Sequence, residues 1–273
     1  MTTTSPPPPP AVEARHLRKV FPGRHGTTAV DDVSFTLRSG ASLGVVGESG
    51  SGKTTVSRML TGLERPTSGE VFLSGAPAPA DRIHRARAVQ MVFQDPYASL
   101  DPRQTVGAGL LELLRLHEPD RTRHHGRAAE LLDQVGLDDR IAASRPGQLS
   151  GGQRQRVAIA RALVPGPAVL VLDEAVSALD VSVQAQVLGL LADLREQLAV
   201  SYVFVTHDLA VVQQITDEIL VMHRGRVVEH GPTDRVLSAP EHPYTRGLLD
   251  AVPREGWRPG TAGAMTAPWK GTG

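Results

Sequence analysis

The residues best suited to chemistry lie in one run, GESGSGKTT, Gly47 to Thr55. Gly47, Gly52, Lys53 and Thr54 stand at the spacing G-x-x-x-x-G-K-[ST], directly after the apolar run SLGVV and directly before TVSRMLTGL, which reads as a helix. Glycines let backbone N–H groups wrap phosphate oxygens, and the start of a helix adds a favourable dipole. Lys53 would reach the β- and γ-phosphates, and the Thr54 hydroxyl would ligate Mg²⁺. Glu48, Ser49, Gly50, Ser51 and Thr55 complete the loop. A flexible surface loop would explain neither the preceding strand nor the lysine, one of only three (Lys19, Lys53, Lys270) among 29 basic residues. The motif alone means a nucleoside triphosphate and no more.

A second group of reactive residues stands at the ends of apolar runs. VLVLDE ends in Asp173 and Glu174, VQMVF runs into Gln94, and YVFVT runs into His207. Ligands of open parallel sheets sit at the carboxyl ends of the strands, so these residues should share a crevice with the phosphate loop. Asp173 suits a Mg²⁺ holder, and Glu174 suits the base that orients or deprotonates an attacking water.

A third stretch, LSGGQRQR (Leu149 to Arg156), poses a puzzle. Ser150 and Gln153 have the spacing of a capping box, which places Gly151 and Gly152 in the first helical turn, where each glycine costs on the order of 1 kcal/mol relative to alanine. Two glycines there offer bare N–H groups to an anion. Because Gly47 to Thr55 already serve this chain's own phosphates, a second such helix start makes sense if it completes the site of another subunit.

The elements that must position these residues show as β-branched runs alternating with helical patterns. VSFTL, SLGVV, AVQMVF, AVLVLD, SYVFVT and EILVMH imply an α/β core with a largely parallel sheet. EILVMH and RVVEH should form a hairpin turning at HRGR (His223 to Arg226). From about Thr105 to Val164 the periodicity is helical, which implies a helical subdomain inserted between two core strands. The clusters RIHRAR and RTRHHGR read as solvated helix faces.

Composition excludes several classes. Lys+Arg and Asp+Glu both total 29 over 273 residues and aromatics are 4%, so neither a basic field nor a stacking platform for nucleic acid is expected. Without cysteine there is no disulfide, thiolate nucleophile or Cys-ligated metal. No apolar run approaches the roughly 18 residues of a membrane span, so at a membrane another chain would supply it. MTTTSPPPPP lacks the basic and apolar regions expected of a signal peptide and reads, over residues 1–11, as a proline-rich tail. Residues 255–273, with Trp257 and Trp269, read as a second flexible tail.

GESGSGKTT, VFQDP, LSGGQRQR, VLVLDE, SALD and VTHD, in that order, resemble the ATP-binding-cassette (ABC) ATPases over about Val12 to Pro253. The resemblance implies a P-loop NTPase (RecA-like) core with a mostly parallel sheet, an antiparallel β subdomain and an inserted helical subdomain at about 95–164. It also implies an ATPase domain over 12–231 and an extension over 232–254. Two such domains pair head to tail around two ATP molecules, each held between one phosphate loop and the other chain's LSGGQ, here Ser150, Gly151, Gly152 and Gln153. Gln94 would sense Mg²⁺ and the membrane partner, Ser177 to Asp180 would link the two sites, and His207 would contact the γ-phosphate. Phe21 lies where the family sets an aromatic against adenine, and a packing role suits it nearly as well.

FQDPYASLDPR, SALDVSVQAQVL, SYVFVTHDLAVV and HPYTRGLL resemble the ATPase subunits of bacterial oligopeptide and dipeptide importers, a subfamily that includes nickel importers. The implied partners are two membrane permeases, an external solute-binding protein and a second homologous ATPase or a copy of itself, at the cytoplasmic face of the membrane. An efflux ATPase and a soluble cassette ATPase are the rival readings. Two residues depart from the family pattern: Ala175, where proline is usual, and Asp101, where asparagine is usual. Ala175 leaves an N–H that proline would lack, with a looser turn at Glu174 as the expectation.

Overall fold

The computed structural model describes residues 8–23 and 26–251. Most of the first tail, and the second tail with both tryptophans, lie outside the described residues. The strands are β1 (Val12–Phe21), β2 (Thr27–Leu37), β3 (Ser42–Val46), β4 (Ser68–Leu73), β5 (Ala76–Pro77), β6 (Val89–Val92), β7 (Val169–Asp173), β8 (Ser201–Val205), β9 (Glu218–His223) and β10 (Arg226–Pro232). The helices are α1 (Lys53–Thr61), α2 (Arg82–Ala88), α3 (Val106–His117), α4 (His124–Gln134), α5 (Gly151–Leu163), α6 (Val181–Leu198), α7 (Leu209–Ile215), α8 (Thr233–Ser238) and α9 (Pro243–Asp250).

Six strands form the central sheet in the order β10-β9-β3-β8-β7-β6, parallel from β9 to β6 with β10 antiparallel at the edge. Its strands are continuous apolar runs because both faces are covered. In β7 and β8, Val169, Val171, Val203 and Val205 pack toward α1 and the second sheet, while Leu170, Leu172, Tyr202 and Phe204 pack toward α5 and α6. The expected hairpin joins β9 to β10 through Arg224 (φ 49°) and Gly225 (φ 82°). Two successive left-handed residues match the twist of the flanking strands.

The second sheet, β2-β1-β4-β5, is antiparallel. Reading strands from alternation missed β1, β4 and β5. β1 breaks its own alternation, with register shifts after Ala14, Leu17 and Lys19 and a left-handed His16 (φ 51°). Gly69 of β4 faces that kink, where a Cβ would come within 2.3 Å of the His16 carbonyl oxygen. A bulged strand loses the period of two by which strands are recognised.

Between β6 and β7, residues 95–164 contain α3, α4, α5 and four 3₁₀ turns and no strand. Leu110, Leu114, Leu131, Leu132 and Ile159 pack them into one core with α6. RIHRAR forms α2, which buries none of its residues. RTRHHGR departs from its reading at His124, which is 4% exposed and whose Nε2 lies 3.0 Å from the Glu118 carbonyl oxygen.

Candidate functional site

The loop after β3 folds tightly because two of its glycines have no room for a side chain. At Gly47 (φ 147°) a Cβ would lie 2.2 Å from the Met222 carbonyl oxygen, and at Gly52 (φ 103°) 2.4 Å from that of Ala29. Gly52 caps α1 without any side-chain hydrogen bond, so the first N–H groups of the helix remain open. Lys53 is 5% exposed and donates to the carbonyls of Gly47 (2.7 Å) and Glu48 (2.8 Å). Two of its three N–H donors are thereby used and one remains. Burial pushes the Lys53 ammonium down, opposed by the carboxylates of Glu174, Asp173 and Glu48. The Ser51 hydroxyl is buried in the loop with no partner, while Ser49 and Gly50 are exposed and Thr55 half-buried.

At the ends of the neighbouring strands, Asp173 is 8% exposed and its Oδ1 lies 3.4 Å from the Thr54 hydroxyl. Burial, and next the like charge of Glu174, hold the Asp173 carboxyl above its ordinary value. A buried base short of an anion therefore stands beside a buried acid short of a cation. The donors suit Mg²⁺, which prefers hard oxygens and takes one or two carboxylates together with substrate phosphates. No cluster of three or more His, Cys, Asp or Glu able to hold a metal occurs among the described residues.

Glu174 adopts a left-handed φ of 49°. Its N–H donates to the Val205 carbonyl (2.8 Å), and its own carbonyl accepts from the Ser177 N–H (3.1 Å) and hydroxyl (2.9 Å). Those three bonds hold the turn that contains Ala175, and none of them uses the Ala175 N–H. The His207 Nδ1 lies 3.4 Å from Glu174 Oε1, and the Gln94 amide donates to the Ser177 hydroxyl at 3.4 Å. The strand ends thus bring Lys53, Thr54, Asp173, Glu174, His207 and, through Ser177, Gln94 together. Asp101 accepts from the Arg103 N–H at 2.9 Å, an Asx turn that asparagine makes equally well.

Phe21 ends β1 on the other sheet, 37% exposed, with the Lys19 ammonium 5.0 Å over its ring. The capping box at α5 is formed: Gln153 N–H donates to the Ser150 hydroxyl (3.2 Å) and Ser150 N–H to the Gln153 side-chain oxygen (2.9 Å). Gly151 has ordinary room, but a Cβ on Gly152 would meet Val183 of α6 at 2.5 Å. Gly152 is therefore needed for helix packing as well, which the reading of both glycines as anion donors left out. No hydrogen bond among the described residues joins Ser150, Gly151, Gly152 or Gln153 to the phosphate loop. Sequence reasoning also missed Tyr244, whose hydroxyl accepts the Glu48 N–H at 3.0 Å across 196 positions, with no local signal to reveal it.

A parallel sheet carrying this loop and these acids at its strand ends defines a P-loop nucleoside triphosphatase. Residues 30–177 match the ABC transporter family, and residues 228–268 match the oligopeptide/dipeptide transporter C-terminal region. The chain is 44% identical over 266 residues to the dipeptide transport ATP-binding protein DppF of Haemophilus influenzae, covering 93% of this chain and 81% of that one. It is 44% identical over 250 residues to the oligopeptide transport ATP-binding protein OppF of Bacillus subtilis, covering 89% and 82%. Among solved structures, cbiO1 of Clostridium perfringens, part of the transporter complex cbiONQ, superposes with a TM-score of 0.76 at 26% identity, covering 85% of this chain and 92% of that one. The dimeric ATP-binding cassette MJ0796 with ADP and Pi gives 0.73 at 29%, covering 81% and 98%. The chain belongs to the ABC transporter family, as one of its ATP-binding, ATP-hydrolysing subunits.

Proposed function

We propose that this ATPase drives a bacterial importer of oligopeptides, dipeptides or a related solute from the cytoplasmic face of the membrane. The observation that carries the reading is the match of residues 228–268 to the oligopeptide/dipeptide transporter C-terminal region, in a chain whose relatives bear peptide-transport names along most of their length. No helix among the described residues is long and apolar enough to cross a membrane, so the span belongs to two permease subunits, with an external solute-binding protein supplying selectivity. An open groove of about 1110 Å³ along the end of α1, α2 and β6, reaching Phe93 beside Gln94, is the proposed seat of a permease segment.

In the proposed mechanism the loop Gly47–Thr55 holds the ATP phosphates, and Lys53 supplies its remaining N–H to them. Thr54, Asp173 and Gln94 would hold Mg²⁺, which supplies neutralisation of charge on the phosphate oxygens. Glu174 accepts the proton of the attacking water, and His207, hydrogen-bonding distance from Glu174, faces the γ-phosphate. Phe21 stacks on adenine. Ser150, Gly151 and Gln153 close the opposite site of a head-to-tail pair, with Gly152 setting the helix start against α6, and Ser177 to Asp180 run between the two sites. The partner in that pair is proposed to be a second, homologous ATPase, with a second copy of this chain as the alternative.

The test is purification of the intact complex from native membranes. Two integral membrane proteins and a second ATPase should co-purify, and ATP hydrolysis should rise when peptide-loaded binding protein is added. A soluble assembly without permeases would overturn the importer reading. Two copies of this chain and no other ATPase would overturn the mixed pair.

A further inference from the structure

The last helix among the described residues, α9, follows the catalytic strands in sequence but touches the nucleotide loop in space. Its placement is fixed from both ends of a short turn. The Glu229 carboxylate on β10 accepts the N–H groups of Glu241 (2.8 Å) and His242 (3.1 Å), and the His242 ring nitrogen Nδ1 accepts the Tyr244 N–H (3.1 Å). Pro243 opens the helix, and Leu248 and Leu249 pack with Val46, Val212 and Val236. Tyr244 then stacks on His223, ring centroids 4.0 Å apart and planes 20° from parallel, which aims its hydroxyl at the outer side of the phosphate loop.

There the hydroxyl accepts the Glu48 N–H at 3.0 Å, while the Glu48 carbonyl accepts from Lys53 on the inner side at 2.8 Å. One loop residue is gripped from both sides. The hairpin that begins at His223 adds a third hold, since the Gly225 N–H donates to the Ser51 carbonyl at 3.0 Å. Packing accounts for the ring of Tyr244 and for Leu248 and Leu249, but a phenylalanine would pack as well; the hydroxyl is explained by the loop. Partial burial raises the phenol from its ordinary value, so it remains a neutral hydroxyl across the physiological range.

We infer that Tyr244 is a positioning residue for the phosphate loop, its hydroxyl holding the Glu48 peptide so that the nucleotide cradle is already formed before ATP arrives. The inference rests on Gly47–Thr55 being this chain's ATP site. A loop that spends part of its time out of shape lowers apparent affinity by the fraction of competent molecules, and leaves the bound complex unchanged.

The experiment compares full-length wild type, Tyr244→Phe, Leu248→Ala and Lys53→Ala by ADP and ATP titration, steady-state hydrolysis, thermal unfolding and amide exchange. Tyr244→Phe should raise the nucleotide Kd and KM about threefold to tenfold, with kcat within about twofold, the size expected for one hydrogen bond. Its nucleotide-free unfolding midpoint should stay within about 2 °C of wild type, since the stack is kept. The Glu48 amide should exchange faster in Tyr244→Phe than in wild type. Leu248→Ala, which weakens α9 packing alone, should lower the midpoint and leave KM as it was. Wild-type KM and unchanged Glu48 exchange in Tyr244→Phe overturn the inference, whether or not the midpoint falls, provided Lys53→Ala loses nucleotide. Normal nucleotide binding by Lys53→Ala would instead remove the ATP site on which the inference stands, and the inference with it.

Discussion

Two glycine-rich helix starts in this chain look alike in sequence and differ in what they do with their own backbone. At α1 the cap is Gly52 in a left-handed conformation with no side-chain bond, and a buried lysine follows at once. At α5 the cap is Ser150, reciprocally bonded with Gln153, so the helix satisfies two of its own end groups. The capped start still leaves the Gly151 and Gly152 N–H groups and the Ser150 hydroxyl proton to give away. The cation beside it, Arg154, donates to the Leu149 carbonyl at 2.6 Å and lies over the Tyr97 ring. We propose that the uncapped end, with a buried lysine after it, holds this chain's own phosphates, and that the capped end finishes a site elsewhere.

The largest effects should come from removing the chemistry on the α1 side alone. Glu174→Gln should keep ATP binding and slow hydrolysis by on the order of 10² or more, because the phosphate cradle is untouched while the proton acceptor is lost. Turnover within a few-fold of wild type would reject Glu174 as the base. Lys53→Ala should act on binding itself, weakening ATP affinity about 10- to 100-fold through loss of a charge-assisted hydrogen bond. An unchanged titration curve would remove Gly47–Thr55 as the ATP site.

On the α5 side the effects are structural first. Gly152→Ala should destabilise by about 1–3 kcal/mol, because its Cβ would overlap Val183, and Val183→Ala in the same chain should recover most of that loss. Equal unfolding midpoints for Gly152→Ala and wild type would show that the glycine serves only the anion. Ser150→Ala should cost about 1 kcal/mol as a lost cap. A larger fall in ATP-driven pairing than in stability would mark the hydroxyl as a ligand as well.

The smallest expected effect is a pH dependence at α9. Burial raises the Glu229 carboxyl, but the nearby Thr245 hydroxyl and the Glu241 and His242 N–H groups outweigh it and hold it below the ordinary value. A lowered folded pKa means stabilisation that is present above the unfolded carboxylate value and is lost as pH falls through the folded one. The midpoint difference between wild type and Glu229→Gln should therefore be measurable at neutral pH and close in acid. A difference that persists at low pH would assign the effect to packing.

Much of this molecule is legible in its sequence. The strands of the central sheet announced themselves because both faces are buried and apolar runs result, and the loop motif did because its glycines are forced by carbonyl oxygens 2.2 and 2.4 Å from where a Cβ would stand. The capping box was readable for a similar reason, being closed within four residues. β1 was not, since a bulge erases the alternation that marks a strand.

What the sequence determined by itself is whatever chemistry is local: a phosphate loop, an acid pair at a strand end, a capped helix start followed by two glycines. Only the tertiary structure decided what distant residues do together. It put Val183 against Gly152, Ser177 between Gln94 and the Glu174 carbonyl, and Tyr244 on the Glu48 N–H. The physical reason is that a motif fixes the backbone over a few residues, whereas a contact across 196 positions depends on how separate faces pack, and packing leaves no period in the sequence.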